Sequence, residues 1–163
     1  MVTEAPSRLA TLERVRSLSN VAVYTVALQH RRLRHPEPVG EFIMQPWADF
    51  SFLIIALCRL ERIVGILKGD AVIDAALSEF NAALPGIRKL RDIGEHVDEY
   101  AIDSPSRHRK GYGRAGLQVA TFDGVTFEWY DQSVNIDDAL AVAQTLFAAV
   151  QAVTPRPEGW TVS

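Results

Sequence analysis

Between Pro46 and Gly69 the chain carries apolar side chains on several sides of what its spacing predicts to be one helix, running to about Lys68. Leu53, Leu57, Leu60, Val64 and Leu67 alternate at steps of four and three, which is the repeat of a packing seam. Phe50, Phe52, Ile54, Ile55, Ile63 and Ile66 cover much of the remaining circumference. A helix of this kind cannot rest on a surface with a single stripe hidden. It must be central in a bundle, or bury a second side against another subunit. Pro46 suits its first turn and Gly69 its end. The apolar run from Phe50 to Cys58 is far shorter than the ~20 residues of a membrane-spanning helix, so no membrane association is expected.

The remaining segments fit around such a helix. Ser7 is placed to cap a first helix reaching about Arg34, with Leu9, Leu12, Val15, Leu18 and Val21 near one face. It ends in QHRRLRH before Pro36 and Pro38. That basic end is either a phosphate-binding patch or a solvated end stabilised by the helix dipole. Asp70 is placed to cap a third helix to about Ala83, whose inner face is Val72, Ile73, Ala76, Leu77, Phe80 and Leu84. Residues 117 to 130 predict a β-hairpin with Asp123-Gly124 as a two-residue turn. Leu117, Val119 and Thr121 alternate on one arm, and Val125, Phe127 and Trp129 on the other. A lone hairpin is only marginally stable, so it should pack on the bundle or pair with its copy. Asn135 is placed to cap a last helix with Asp137 and Asp138 in its first turn and Ile136, Leu140, Ala143, Phe147 and Val150 facing inward. The tail from Thr154 should fray, with Trp160 available to dock. The expected fold is mainly α: one domain over 1–163, an up-down bundle of four to five helices with a small appended β-hairpin.

With a net charge of −3 and a pI near 5.8, the chain lacks the basic balance of a general duplex-DNA binder. Its single cysteine, Cys58, lies in apolar sequence and reads as a buried structural thiol, compatible with a reducing cytoplasm. The polar N-terminus shows no signal peptide.

The residues able to do chemistry concentrate in PGIRKLRDIGEHVDEYA, residues 85 to 101, read as a helix. Ile87, Leu90, Ile93, Gly94, Val97, Tyr100 and Ala101 share its buried face. Gly94 there would be explained by a close helix contact. Arg88, Asp92, Glu95 and Glu99 lie opposite. Asp92 and His96 are one turn apart, as are Arg91 and Glu95, so each pair can touch. Arg91 and His96 lie about 140° apart around the axis. One helix cannot easily aim both at one atom. Two copies about a two-fold axis could, so a catalytic use implies a dimer.

Arg91, then the polar Asp92, then His96 after four intervening residues resembles the R-x(4–6)-H motif of the HEPN superfamily. Members of that family are helical and usually dimeric, and many are metal-independent ribonucleases of toxin–antitoxin and defence systems. The resemblance implies a homodimer acting on RNA, with an antitoxin as a further partner and no metal or other cofactor. Arg91 would stabilise charge on the phosphorane. His96 would take the 2′-hydroxyl proton or protonate the leaving oxygen. Asp92 would hold the imidazole tautomer. Some family toxins continue H-x-Y, whereas His96 is followed by Val97 and Asp98, with a tyrosine only at Tyr100. Regulation through that tyrosine is therefore not implied. Acids at Glu95, Asp98, Glu99 and Asp103 would repel RNA, and the basic loop with Arg107, Arg109, Lys110 and Arg114 would offset them by folding over the helix.

Two other uses fit the same residues. One is a non-catalytic dimerisation or partner-binding module in which the motif is an ordinary charged helix face. The other is a bundle holding a small molecule in an apolar pocket. GYGRAG, residues 111 to 116, matches a dinucleotide-binding pattern literally, but lacks a strand before it and a helix after it. The four histidines have no metal-ligand spacing.

Overall fold

A computed structural model describes residues 7–36, 44–96 and 120–155. These residues form five α-helices, a 3₁₀ turn and a three-stranded antiparallel sheet. Helix α1 spans Arg8–Arg34, α2 Gln45–Val64 with the 3₁₀ turn Gly65–Leu67 after it, and α3 Ala71–Ala83. Helix α4 spans Ile87–Glu95. Strands β1 (Ala120–Phe122), β2 (Thr126–Trp129) and β3 (Gln132–Asn135) lead directly into α5, Ile136–Val153. The chain is thus a helical bundle carrying a small β element, the expected fold class.

Helix α2 is the centre. Leu53, Leu57, Leu60 and Val64 are all fully buried, and Phe50, Ile54, Ala56 and Ile63 are buried beside them. It packs against α1, α4 and α5, and α5 also packs against α1 and α3. Phe52, Ile55 and Ile66 remain exposed. The caps form as their chemistry requires: Ser7 accepts from Ala10 N–H, Asp70 from Val72 and Ile73 N–H, and Asn135 from Asp137 and Asp138 N–H. Helix α5 is long and apolar enough, by length and composition, to cross a membrane. In the fold it buries Ile136, Ala139, Ala143, Leu146, Ala149 and Val150 as a core helix does. Phe147 is only half-buried, and Leu146 takes the inward position expected for it.

The stripe of α1 differs from expectation. Its buried residues are Val15, Ser19, Ala22, Val26, Gln29 and Leu33, whereas Leu9 and Val21 are exposed. Successive steps of three fall about 60° short of a full turn, so a three-spaced row winds off the face. The buried row mixes steps of four and three, and two of its members are polar.

The end of α1 is largely exposed, as a solvated helix end is, and three of its basic side chains are matched to acids. Arg32 Nε lies 2.9 Å from a carboxylate oxygen of Asp49, which is buried on α2 and also accepts from Gln45 Nε2. His30 Nε2 lies 2.6 Å from Asp137 Oδ1, and Arg34 lies 3.5 Å from the other oxygen. The hydrogen bond with His30, with the charge of Arg34 nearby, holds the Asp137 carboxyl below the usual range. The basic end of α1 therefore faces the acidic first turn of α5, and each set of charges also complements the dipole of its own helix.

The sheet packs on the bundle through aromatic rings. Phe127 stacks between Phe50 at 3.9 Å and Phe122 at 4.1 Å, and Trp47 meets Trp129 edge-on at 4.6 Å. The turns differ from expectation, and a third strand is added to the expected hairpin. Phe122 pairs with Phe127, so the β1–β2 connection is the four residues Asp123 to Thr126. Gly124 takes φ +97, and Asp123 accepts from Val125 and Thr126 N–H. The two-residue turn is Tyr130-Asp131, closed by the pair Trp129–Gln132, with Tyr130 at φ +56. This register leaves Thr121 exposed and turns Ala120 and Phe122 toward the core. Leu117, Val119 and Trp160 lie outside the described residues.

Arg32 and Arg31 provide a matched test. Arg32→Ala strands a buried carboxylate and should cost about 1–3 kcal/mol in urea unfolding. Exposed Arg31→Ala should stay within about 0.5 kcal/mol of the parent. Equal effects would show that Asp49 does not depend on Arg32.

Candidate functional site

Helix α4 is docked by Ile87, Leu90 and Ile93, all buried. Arg88 fixes its first turn to α2: Nε donates to Glu61 Oε2 at 3.0 Å, and Nη2 donates to the other oxygen. Glu61 is buried, so this two-point contact supplies the cation that its charge requires. Lys89 Nζ reaches Asp131 at 2.9 Å and ties the same helix to the β2–β3 turn. The helix ends sooner than expected, with His96 as its C-cap. Val97, Tyr100 and Ala101 lie outside the described residues. Gly94 is exposed rather than at a close helix contact, and a Cβ built there would meet nothing within 4 Å.

The motif residues stand on the accessible side. Arg91 Nη2 lies 2.5 Å from Glu95 Oε2, and His96 Nε2 lies 3.9 Å from Asp92 Oδ1. The second distance is an ion-pair separation and too long for a hydrogen bond. Both pairs are at least a quarter exposed on each side. Pairs of this type contribute only about 0.2–0.5 kcal/mol, so either is easily exchanged for a ligand.

Arg91 also lines a cleft of about 420 Å³ between α2, α3 and α4. Arg62, Lys68 and Arg88 join it there, over a floor that includes Cys58 and Glu61. Asp92 and His96 do not line it, so within one chain this cleft holds the motif's arginine without its histidine. On its other side Arg91 borders a slot of about 80 Å³ with Phe50, Ile54, Ile55 and Trp129. That slot is well below the roughly 300–1,000 Å³ of small-molecule pockets, which weighs against an apolar ligand site there. Arg107, Arg109, Lys110 and Arg114, expected to bind RNA, lie outside the described residues, as does GYGRAG. Among the described residues no three His, Cys, Asp or Glu side chains gather as a metal site.

The cleft is the feature that sequence reasoning missed. Its signal was Glu61, an acid within the apolar seam of α2, which demanded a cation from a neighbouring element. Comparison with family models, curated proteins and solved structures finds no match to this chain.

Burial pushes the Cys58 thiol up to about 11, against a smaller opposing influence of Arg91, and its Sγ lies 3.7 Å from the Ile87 carbonyl oxygen. The thiol is therefore neutral and a poor nucleophile at neutral pH. A raised folded pKa stabilises fully below the unfolded value. Its contribution should be lost as pH rises from about 8.5, the free-thiol value, toward about 11. Cys58→Ala should flatten the alkaline limb of stability against pH, and native Cys58 should react with iodoacetamide only after unfolding. Rapid native labelling at pH 7 would contradict this assignment.

Proposed function

We propose that this chain is a HEPN-like helical protein that acts on RNA as a homodimer through the exposed face of α4. The observation that supports this best is the position of Arg91. It is the one residue shared by the R-x(4–6)-H motif and the basic cleft, so the motif's cation stands where a phosphate could reach several positive charges. In a dimer, Arg91 of each copy would stabilise the charge that builds on the phosphorane. His96 would accept the 2′-hydroxyl proton as that oxygen attacks phosphorus, or protonate the departing 5′-oxygen. The products would be a 2′,3′-cyclic phosphate and a 5′-hydroxyl.

A second use, RNA or partner binding without cleavage, is favoured by a specific observation. His96 does not line the cleft that Arg91 lines, and each motif side chain faces an acid on its own helix. One experiment separates the two. Purified protein is incubated with single-stranded RNA in EDTA beside Arg91→Ala and His96→Ala. The ribonuclease reading expects cleavage that survives EDTA and falls about 100-fold or more in both variants. RNA retarded on a native gel but left intact, with binding weakened only in Arg91→Ala, would replace it by the binding module. Cleavage unchanged in both variants would overturn the motif as the site.

A further inference from the structure

We infer that the cleft between α2, α3 and α4 is a binding site for a compact phosphate-bearing anion, held by Arg62, Lys68 and Arg88. The inference deepens the RNA reading, which also brings a phosphate to this cleft, but Arg62 and Lys68 belong to no part of the motif and can be tested separately. The chain as a whole is acidic, with a net charge of −3. Within this one cleft four cations are opposed by only two carboxylates, Glu61 in the floor and Glu95 paired with Arg91 outside it.

The two carboxylates are already engaged. Glu61 is held at both oxygens by Nε and Nη2 of Arg88, which leaves Nη1 of that guanidinium without a partner among the described residues. Glu95 accepts from Arg91. The side chains of Arg62 and Lys68 make no hydrogen bond or ion pair among the described residues, although both border the concave space of the cleft. Like charges gathered in a cleft repel one another, and a bound anion would relieve that repulsion. A cleft of about 420 Å³ falls within the usual range for small ligands. Its polar, cationic lining suits phosphate oxygens, which accept several charge-assisted hydrogen bonds at once. Buried Glu61 holds the exposed Arg88 at two points, so part of the site is ordered before any ligand arrives.

The test uses the full chain and inorganic pyrophosphate as the probe, followed by titration calorimetry at low and at moderate salt. The parent should bind pyrophosphate saturably at one site per chain. Arg62→Ala/Lys68→Ala should weaken that binding at least about tenfold, the loss expected for one charge-assisted hydrogen bond. Both side chains are exposed, so circular dichroism should find the double variant folded. Arg31→Ala, which removes an exposed cation elsewhere, should bind as the parent does. Absence of saturable binding, binding unchanged in the double variant, or an equal loss in Arg31→Ala would each overturn the site. His96→Ala should retain pyrophosphate binding whatever it does to RNA, so failure of the RNA reading and failure of this one are separately visible.

Discussion

Burial of α2 on more than one side is the constraint from which the remaining packing follows. A helix with Leu53, Leu57, Leu60 and Val64 all removed from water needs neighbours on several flanks, and α1, α4 and α5 supply them. That helix also carries two acids, Asp49 near its start and Glu61 near its end, and both are buried. Each must receive a cation from another element, because a lone buried carboxylate costs several kcal/mol, by order of magnitude. Arg32 of α1 answers the first and Arg88 of α4 the second. The apolar seam sets which helices gather. The two charges set where along α2 the neighbours come to rest, since hydrophobic contact alone tolerates sliding.

The sheet obeys the same division. Its attachment is non-directional burial of rings, with Phe127 between Phe50 and Phe122 and Trp47 against Trp129. Its orientation is set by polar contacts at its turns, Lys89 to Asp131 and Arg34 to the Gly124 carbonyl. Tyr130 at φ +56 is uncommon for a bulky residue and belongs to a class that costs on the order of 1–3 kcal/mol. The adjoining Trp129 ring and the Lys89–Asp131 pair hold the chain in that turn.

Local chemistry was readable from the residues, and tertiary choice was not. Ser7, Asp70 and Asn135 cap helices because a short polar side chain reaches N–H groups two or three residues on, and no distant residue is needed to see it. The seam of α2 was legible for a similar reason, as its repeat is written in one segment. The row on α1 was not, because Ser19 and Gln29 take core positions while Leu9 and Val21 face out. Asp123-Gly124 offered a favoured hairpin turn, but pairing Phe122 with Phe127 buries both rings and lengthens the loop by two residues. Gly94 suggested a close contact because glycine is costly in a helix, yet its position depends on which flank of α4 meets α2. At the site, the Arg91–Glu95 and Asp92–His96 pairs followed from helical spacing alone. The cleft did not, because Arg62 comes from α2, Lys68 from the end of the 3₁₀ turn and Arg88 and Arg91 from α4, and only packing brings them together.

Among the described residues basic side chains gather at the end of α1 and in the cleft, and the fold treats the two groups differently. QHRRLRH at the end of α1 had the look of a phosphate patch, yet Asp49 and Asp137 take up His30, Arg32 and Arg34. Arg62 and Lys68 are separated in sequence and suggested nothing, yet no acid among the described residues answers them. What separates structural cations from ligand-binding ones is thus whether the fold sets a carboxylate opposite, not how many stand together. Cations already matched gain little from an anion, since binding it would first require giving up an acid that is itself buried or bonded. Cations left unmatched in a concavity lose nothing on binding and gain relief from mutual repulsion. By that criterion the acidic balance of the whole chain and the positive charge of one cleft are consistent, because Asp49, Glu61 and Asp137 already face cations of neighbouring elements.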